Sequence, residues 1–268
     1  MTRNWKALAF DLDGTLLNEN SEISPYTLAI LKRVKEAGYH LMISTGRNPE
    51  EVKRLLSRWQ AEGLFEVISG FNGSWIIDLE TGQQLHQRQL PAKAAVKAFQ
   101  KLPGIAIAAL FMKSGEIYSW RRNPLERRMA RRRQTPLIYK SPDELSSMRI
   151  DRLLLVTPKW QAKRQRAFLQ KYGQVFPVTV PWKGLAATEL AHPLQDKMEG
   201  IRYLLQKHNL KPEEVLVFGD DWNDELSIRT CTGICPANAL PHLKKEAWAV
   251  VESNREDGPA CFIERNLL

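Results

Sequence analysis

The strongest constraint on the fold lies near the start of the chain, in Ala7-Leu8-Ala9-Phe10-Asp11-Leu12-Asp13-Gly14-Thr15-Leu16. Ala7 to Phe10 is a short continuous apolar run, the pattern of a parallel strand covered on both faces. It ends in carboxylates. Asp11 and Asp13 stand two positions apart, which puts both on the same side of an extended backbone. Gly14 then lets the chain turn sharply. In open α/β sheets, ligands bind beyond the carboxyl ends of the strands, where these acids stand. Two like charges at one point are costly unless a cation or a shared proton offsets them. The stretch points to a hard metal ion beside a nucleophilic carboxylate. The plain alternative is a solvated Asp-x-Asp loop, and the rest of the chain weighs against it.

The same pattern recurs. Ser24-Pro25 reads as an N-cap with proline at the first helical position, followed by a stripe of Leu28, Leu31 and Val34 and a stop at Gly38. Leu41 to Ile43 is a second buried strand, ending in Ser44-Thr45-Gly46-Arg47. Pro49 opens a helix through Val52, Leu55 and Leu56, and Val67-Ile68 is a third strand, ending in Ser69-Gly70-Phe71-Asn72-Gly73. This alternation predicts a doubly wound, parallel-sheet α/β core.

Near residue 85 the pattern changes to helices and hairpin-type strands. A helix is predicted over 91–102 and a hairpin of strands 105–112 and 116–120 about Lys113-Ser114-Gly115. After the basic segment Arg121 to Arg133 come a strand at 153–156, a helix over 160–172, and strands near 175–180 and 185–190. From Asp196 the doubly wound pattern resumes. It gives a helix over 198–208, a strand over 215–218 ending in Gly219-Asp220-Asp221-Trp222-Asn223-Asp224, short strands near Ile234 and 248–251, and a helix over 259–267. The expected organisation is a discontinuous core, 1–85 and 191–268, interrupted by an α+β cap, 86–190.

Charge separates the same regions. Residues 86–190 hold 21 basic and 6 acidic side chains, whereas the remainder holds 18 basic and 24 acidic. No apolar run approaches the roughly 18 residues of a membrane span, and the first six residues run straight into the first strand, leaving no room for a signal peptide. Three cysteines without a Cys-x-x-Cys pair fit a reducing cytoplasm. A cytoplasmic protein with no membrane partner is expected. The sequence sets no oligomeric state.

In a parallel sheet the tips at Asp11/Asp13, Ser44/Thr45 and Asp220/Asp224 share one edge. Four carboxylates gathered there call for Mg²⁺. Thr45 offers a hydroxyl, Gly46 a close approach of backbone amides to an anion, and Asn223 an amide N–H₂. A transferring phosphoryl group also needs a cationic side chain, and Lys197, just before the helix leading to the Asp220 strand, is the candidate.

Asp-x-Asp-Gly-Thr after one strand, Ser-Thr-Gly-Arg after a second, a lone Lys and then Gly-Asp-x-x-Asn-Asp together resemble the haloacid dehalogenase superfamily of phosphotransferases. The long gap between Arg47 and Lys197 and the tail Ser253 to Gly258 resemble its Cof-type branch, with a subfamily IIB cap. The resemblance implies phosphoester hydrolysis. Asp11 would attack phosphorus, and Asp13 would protonate the leaving oxygen and then activate water. Mg²⁺ would be held by Asp11, by Asp13 through its backbone carbonyl, and by Asp220. Leu12, Thr45, Gly46, Lys197 and Asn223 would bind phosphate or substrate, with Ser44, Arg47 and Asp224 in support. The implied substrates are small phosphorylated metabolites such as sugar phosphates.

Other readings stay beside this one. A phosphomutase would use the same phosphorylated Asp11. A noncatalytic nucleic-acid-binding protein would use the basic cap, although nucleic acid is not the expected partner. Arg121-Arg122, Arg127-Arg128 and Arg131-Arg132-Arg133 read first as a solvated face, then as a recruiter of polyanionic substrates. Arg47 reads equally as a substrate contact and as a salt-bridge partner. Asn72-Gly73 reads as a turn or a substrate contact, Asp221 and Trp222 as neighbours of the metal's water shell or the cap, and His40 and His192 as structural.

Overall fold

The first strand of the computed structural model, Ala7–Phe10, lies at the centre of an eight-stranded sheet. Residues 4–86, 88–113, 115–132, 135–178, 180 and 182–268 are described, His86 by its backbone alone. Met1 to Arg3, Ser114 of the expected hairpin turn, Arg133 of the basic run and residue 179 of the expected 175–180 strand lie outside them.

The chain divides into two units, Met1–Leu85 with Asp196–Leu268, and His86–Gln195. In the first, the sheet runs Ala249–Val251, Thr232–Pro236, Val215–Phe218, Ala7–Phe10, His40–Ser44, Val67–Gly70, Trp75–Asp78, Gln84–His86. The first six strands are parallel. Trp75–Asp78 is antiparallel to Val67–Gly70, an addition to the expected parallel set. A tight turn at Phe71–Gly73 reverses the chain there, with Phe71 and Asn72 at φ near +50°.

Alternating residues of the central strands feed two cores. Leu8, Phe10, Leu41 and Ile43 pack with Ile30 and Val34 of the Pro25–Glu36 helix and Phe262 of the Gly258–Leu267 helix. Ala7, Ala9, Met42 and Val217 pack with Met198, Ile201 and Leu204 of the Met198–His208 helix. Helices therefore cover both faces, which is why these strands read as continuous apolar runs. Ser24 caps the first helix as its sequence predicts, accepting from the Thr27 N–H at 3.0 Å. The chain proceeds from Ala7–Phe10 to one side of the sheet and returns to Val215–Phe218 on the other. The strand order reverses between these two, the switch point where α/β sheets open a crevice.

The second unit has its own six-stranded sheet, ordered Gln174–Val178, Leu185–Ala191, Arg152–Pro158, Ala108–Lys113, Glu116–Ser119, Leu137–Tyr139. Its pairs are antiparallel except the last. Four of the arginines of the basic run lie on the Pro124–Arg132 helix, which buries Glu126, Met129 and Ala130 and leaves Arg127, Arg128, Arg131 and Arg132 exposed. Arg121 donates to the Ala106 carbonyl and Arg122 lies over the Tyr139 ring. No helix among the described residues is long and apolar enough to cross a membrane.

Candidate active site

Three strand ends meet at the switch point. Asp11 follows Phe10 directly, and its N–H donates to the Phe218 carbonyl at 2.9 Å, which ties it to the neighbouring strand. The chain then coils through a π-helical turn, Leu12–Leu16. Gly14 sits at φ +81°, and a side chain there would strike the Asp220 carboxylate at 2.3 Å. Thr15, carried round by this turn, donates from Oγ1 to Asp220 Oδ1 at 2.8 Å. Asn238 donates from Nδ2 to the Gly14 carbonyl at 2.7 Å, holding the turn from outside.

The turn also corrects one expectation. Regular strand geometry ends at Phe10, and Asp13 stands on the turn rather than on the strand. Three carboxylates converge rather than four: Asp11, Asp220 and Asp224 each place an oxygen within 4.8 Å of the others. Asp13 is half exposed, and the Arg47 guanidinium grips it, with Nε 2.8 Å from Oδ2 and Nη2 on Oδ1. Arg47 is thus the ion-pair partner of Asp13 in this structure.

Lys197 lies immediately before the Met198–His208 helix and is almost wholly buried. Its Nζ bridges Asp11 Oδ1 at 2.8 Å and Asp224 Oδ1 at 2.7 Å. Asp224 also accepts from the Asp221 N–H at 3.3 Å. Gly219 lets Asp224 fold back so closely, since a Cβ there would meet the Asp224 carboxyl carbon at 2.4 Å. The Asp221 carboxylate caps its own turn, accepting from the Trp222 N–H at 2.8 Å.

At the third strand end, Thr45 is buried and its Oγ1 accepts from the Arg47 N–H at 3.2 Å, leaving the hydroxyl proton to donate. Asn72 donates its N–H to the Thr45 carbonyl and accepts at Oδ1 from Asn223 Nδ2 at 3.0 Å. Gly46 lies against that Asn72 amide. Ser44 Oγ is buried without a hydrogen-bond partner, and Leu12 turns its side chain into the core, so only its main chain borders the site. Thr15 and Asn238 take parts that the sequence does not assign them, and Asn72, expected as a turn or a substrate contact, forms the turn and orients Asn223. Thr15 belongs to the Asp-Gly-Thr motif.

Electrostatically, one ammonium is paired with two buried carboxylates, Asp11 and Asp224, beside the part-buried Asp220. Burial pushes the Asp11 carboxyl well above its ordinary range; Lys197 opposes this, and Asp224 and Asp220 add to it. Burial likewise raises Asp224 against the pull of Lys197. Burial raises Asp220 to about 6, with the Thr15 hydrogen bond working against it and Asp224 with it. Lys197 is held charged because Asp11 and Asp224 outweigh its burial. A hard divalent cation with oxygen ligands fits this donor set and this surplus of negative charge.

The chain matches the family of haloacid dehalogenase-like hydrolases over residues 8–263. It is similar to the pyridoxal phosphate phosphatase of Escherichia coli, 23% identical over 272 residues that cover 98% of this chain and 99% of that one. Among solved structures, a haloacid dehalogenase-like hydrolase from Bacteroides thetaiotaomicron superposes with a TM-score of 0.80 at 25% identity, covering 97% of this chain and 99% of the other. A subclass IIB sugar phosphatase superposes with a TM-score of 0.75 at 23% identity, covering 97% and 98%.

Proposed function

The chain belongs to the haloacid dehalogenase-like hydrolases and is a phosphoric monoester hydrolase, and on that premise we propose that it dephosphorylates small phosphorylated metabolites through a phosphorylated Asp11. The observation that carries this reading is Lys197 bridging Asp11 and Asp224 beside Asp220 at the switch point.

Asp11 Oδ attacks phosphorus, a P–O bond to Asp11 forms, and the ester P–O bond breaks. The departing oxygen takes the proton of the Asp13 carboxyl. In the second step the Asp13 carboxylate accepts a proton from water, whose oxygen attacks the same phosphorus. The Asp11–phosphorus link breaks, releasing inorganic phosphate and the free carboxylate. Asp13 leaves its ion pair with Arg47 to carry the proton, and Arg47 takes it back as the carboxylate. Lys197, Thr45, the Gly46 amide and Asn223 hold the phosphoryl oxygens and the charge that develops on them. Asn72 orients the Asn223 amide. Mg²⁺ would be held by the Asp11 carboxylate, the Asp13 main-chain carbonyl and Asp220. When bound, it neutralises charge on the phosphate oxygens and on the surrounding carboxylates.

The His86–Gln195 unit acts as the cap in this reading and selects the substrate. Sugar phosphates and related phosphomonoesters are the class we favour, in a reducing cytoplasm suited to free Cys231, Cys235 and Cys261. The test is a screen of phosphorylated metabolites with Mg²⁺, run beside Asp11→Asn. Phosphate release by the wild type that Asp11→Asn abolishes, with label from isotopic water entering the phosphate, supports hydrolysis. Label-free transfer to a second sugar hydroxyl would make the enzyme a mutase, and equal release by both proteins would sink the mechanism.

A further inference from the structure

A second cluster of metal-ligating side chains lies at the amino edge of the core sheet, and the phosphatase reading leaves it unused. His40 is the first residue of His40–Ser44, Glu66 directly precedes Val67–Gly70, and His208 ends the Met198–His208 helix. At the rise of a strand, His40 stands about 13 Å from the Ser44 end that borders the carboxylates. His40 Nδ1 lies 3.1 Å from Glu66 Oε1, and His208 Nε2 lies 2.8 Å from Glu66 Oε2. One ligand atom from each residue falls within 4.8 Å of the others. The two imidazoles stack, with ring centroids 3.5 Å apart and planes 18° from parallel. Rings that close do not both carry a positive charge at neutral pH. Burial and the neighbouring His40 push His208 below its ordinary range. Glu66 is held ionised, its burial outweighed by hydrogen bonds from Lys35 and His40.

We propose that His40, Glu66 and His208 form a binding site for a divalent transition-metal ion of the zinc type, distinct from the catalytic carboxylates. Two imidazoles and one carboxylate are a donor set suited to Zn²⁺ and Co²⁺; Mg²⁺ prefers oxygen alone. Around a tetrahedral ion with bonds of about 2.0–2.1 Å, ligand atoms stand about 3.3 Å apart, so the present N···O separations need only a small expansion. Binding replaces two N–H···O hydrogen bonds. Each ring changes tautomer, its proton passing through solvent to the nitrogen that faces away from the ion, and the rings turn out of their stack to point their freed lone pairs at the ion. Lys35, now on Glu66 Oε1, is part-exposed and moves to solvent as the dication takes over that oxygen. Solvent fills the fourth position. The ion ties the starts of two strands to the end of the helix that Lys197 precedes, so its role is to brace the fold.

The test is Co²⁺ titration of the full chain with excess Mg²⁺ filling the carboxylate edge, read by visible absorption and calorimetry. One Co²⁺ binds with the absorption of tetrahedral nitrogen and oxygen ligation. His208→Gln and His40→Gln each weaken it at least tenfold and abolish the band, while Asp220→Asn retains it. Lys35→Gln strengthens binding, and Zn²⁺ raises Tm in the wild type but not in His208→Gln. Unchanged circular dichroism and Mg²⁺-dependent phosphatase activity in one of the His variants establish that it folds. The site is disproved if Co²⁺ is not taken up, if the band survives both His substitutions, or if Asp220→Asn removes it.

Discussion

At the carboxyl edge of the core sheet three carboxylates surround one ammonium; at the amino edge one carboxylate serves two imidazoles and a lysine. Both clusters are built on the same sheet and on the two ends of one helix, yet their charge problems are opposite. The first has more negative charge than the protein itself offsets, so burial raises its carboxyl groups and a cation from outside relieves it. The second has more base than acid, so Glu66 stays ionised and His208 resists protonation. The surplus of carboxylate oxygen suits a hard cation and phosphoryl chemistry, whereas two imidazole nitrogens beside one carboxylate suit a softer cation that braces the fold.

The comparison breaks most visibly at Asp11. Asp11→Asn should lower turnover by on the order of 10⁴-fold or more while leaving the fold intact. Steady-state kinetics with any substrate found in the screen will decide, and a variant retaining a tenth of the activity would remove Asp11 as nucleophile. Lys197→Met comes next. It strands Asp11 and Asp224 in the interior, and stability in metal-free buffer should fall by about 3–5 kcal/mol by urea denaturation. Mg²⁺ should restore part of this, and no change would mean the carboxylates do not depend on Lys197.

The pH dependence sharpens the contrast further. Asp220 titrates near 6, above its ordinary value, so its contribution to stability is present below about pH 4 and lost as pH rises toward 6. Glu66 titrates below its ordinary value, so its contribution is present at neutral pH and lost as pH falls through that lowered value. Metal-free Tm profiles should therefore separate the variants in opposite directions. Asp220→Asn should gain on the wild type as pH rises from 4 to 7, and Glu66→Gln should lose ground. Parallel profiles would contradict the electrostatic contrast. The smallest effect is expected at Asn72: Asn72→Ala frees the Asn223 amide, costing about 1 kcal/mol of stability by denaturation and roughly tenfold in turnover.

Much of this was legible because the relevant signals are local. Apolar runs covered on both faces exposed the central strands, and each ended in residues whose chemistry was itself informative. Lys197 was identified only as a lone cation before a helix, and the fold carried it to Asp11. The Asp13–Arg47 ion pair is not legible from strand periodicity, because the strand gives way to a turn before Asp13. The bond from Asn238 to the Gly14 carbonyl is not legible locally because it spans 224 positions. His40 and Glu66 read as structural or went unremarked, since their convergence with His208 depends on where two strands and a helix begin and end.

The sequence by itself determined the alternation of strands and helices, the polar tips at one edge and the uneven charge of the two units, because each follows from the order and type of nearby side chains. Tertiary structure alone decided that Asp224 and Asp11 share Lys197, that Asp13 turns to Arg47, and that two histidines meet over Glu66. Those outcomes depend on distances between residues far apart in the chain, which no local periodicity encodes.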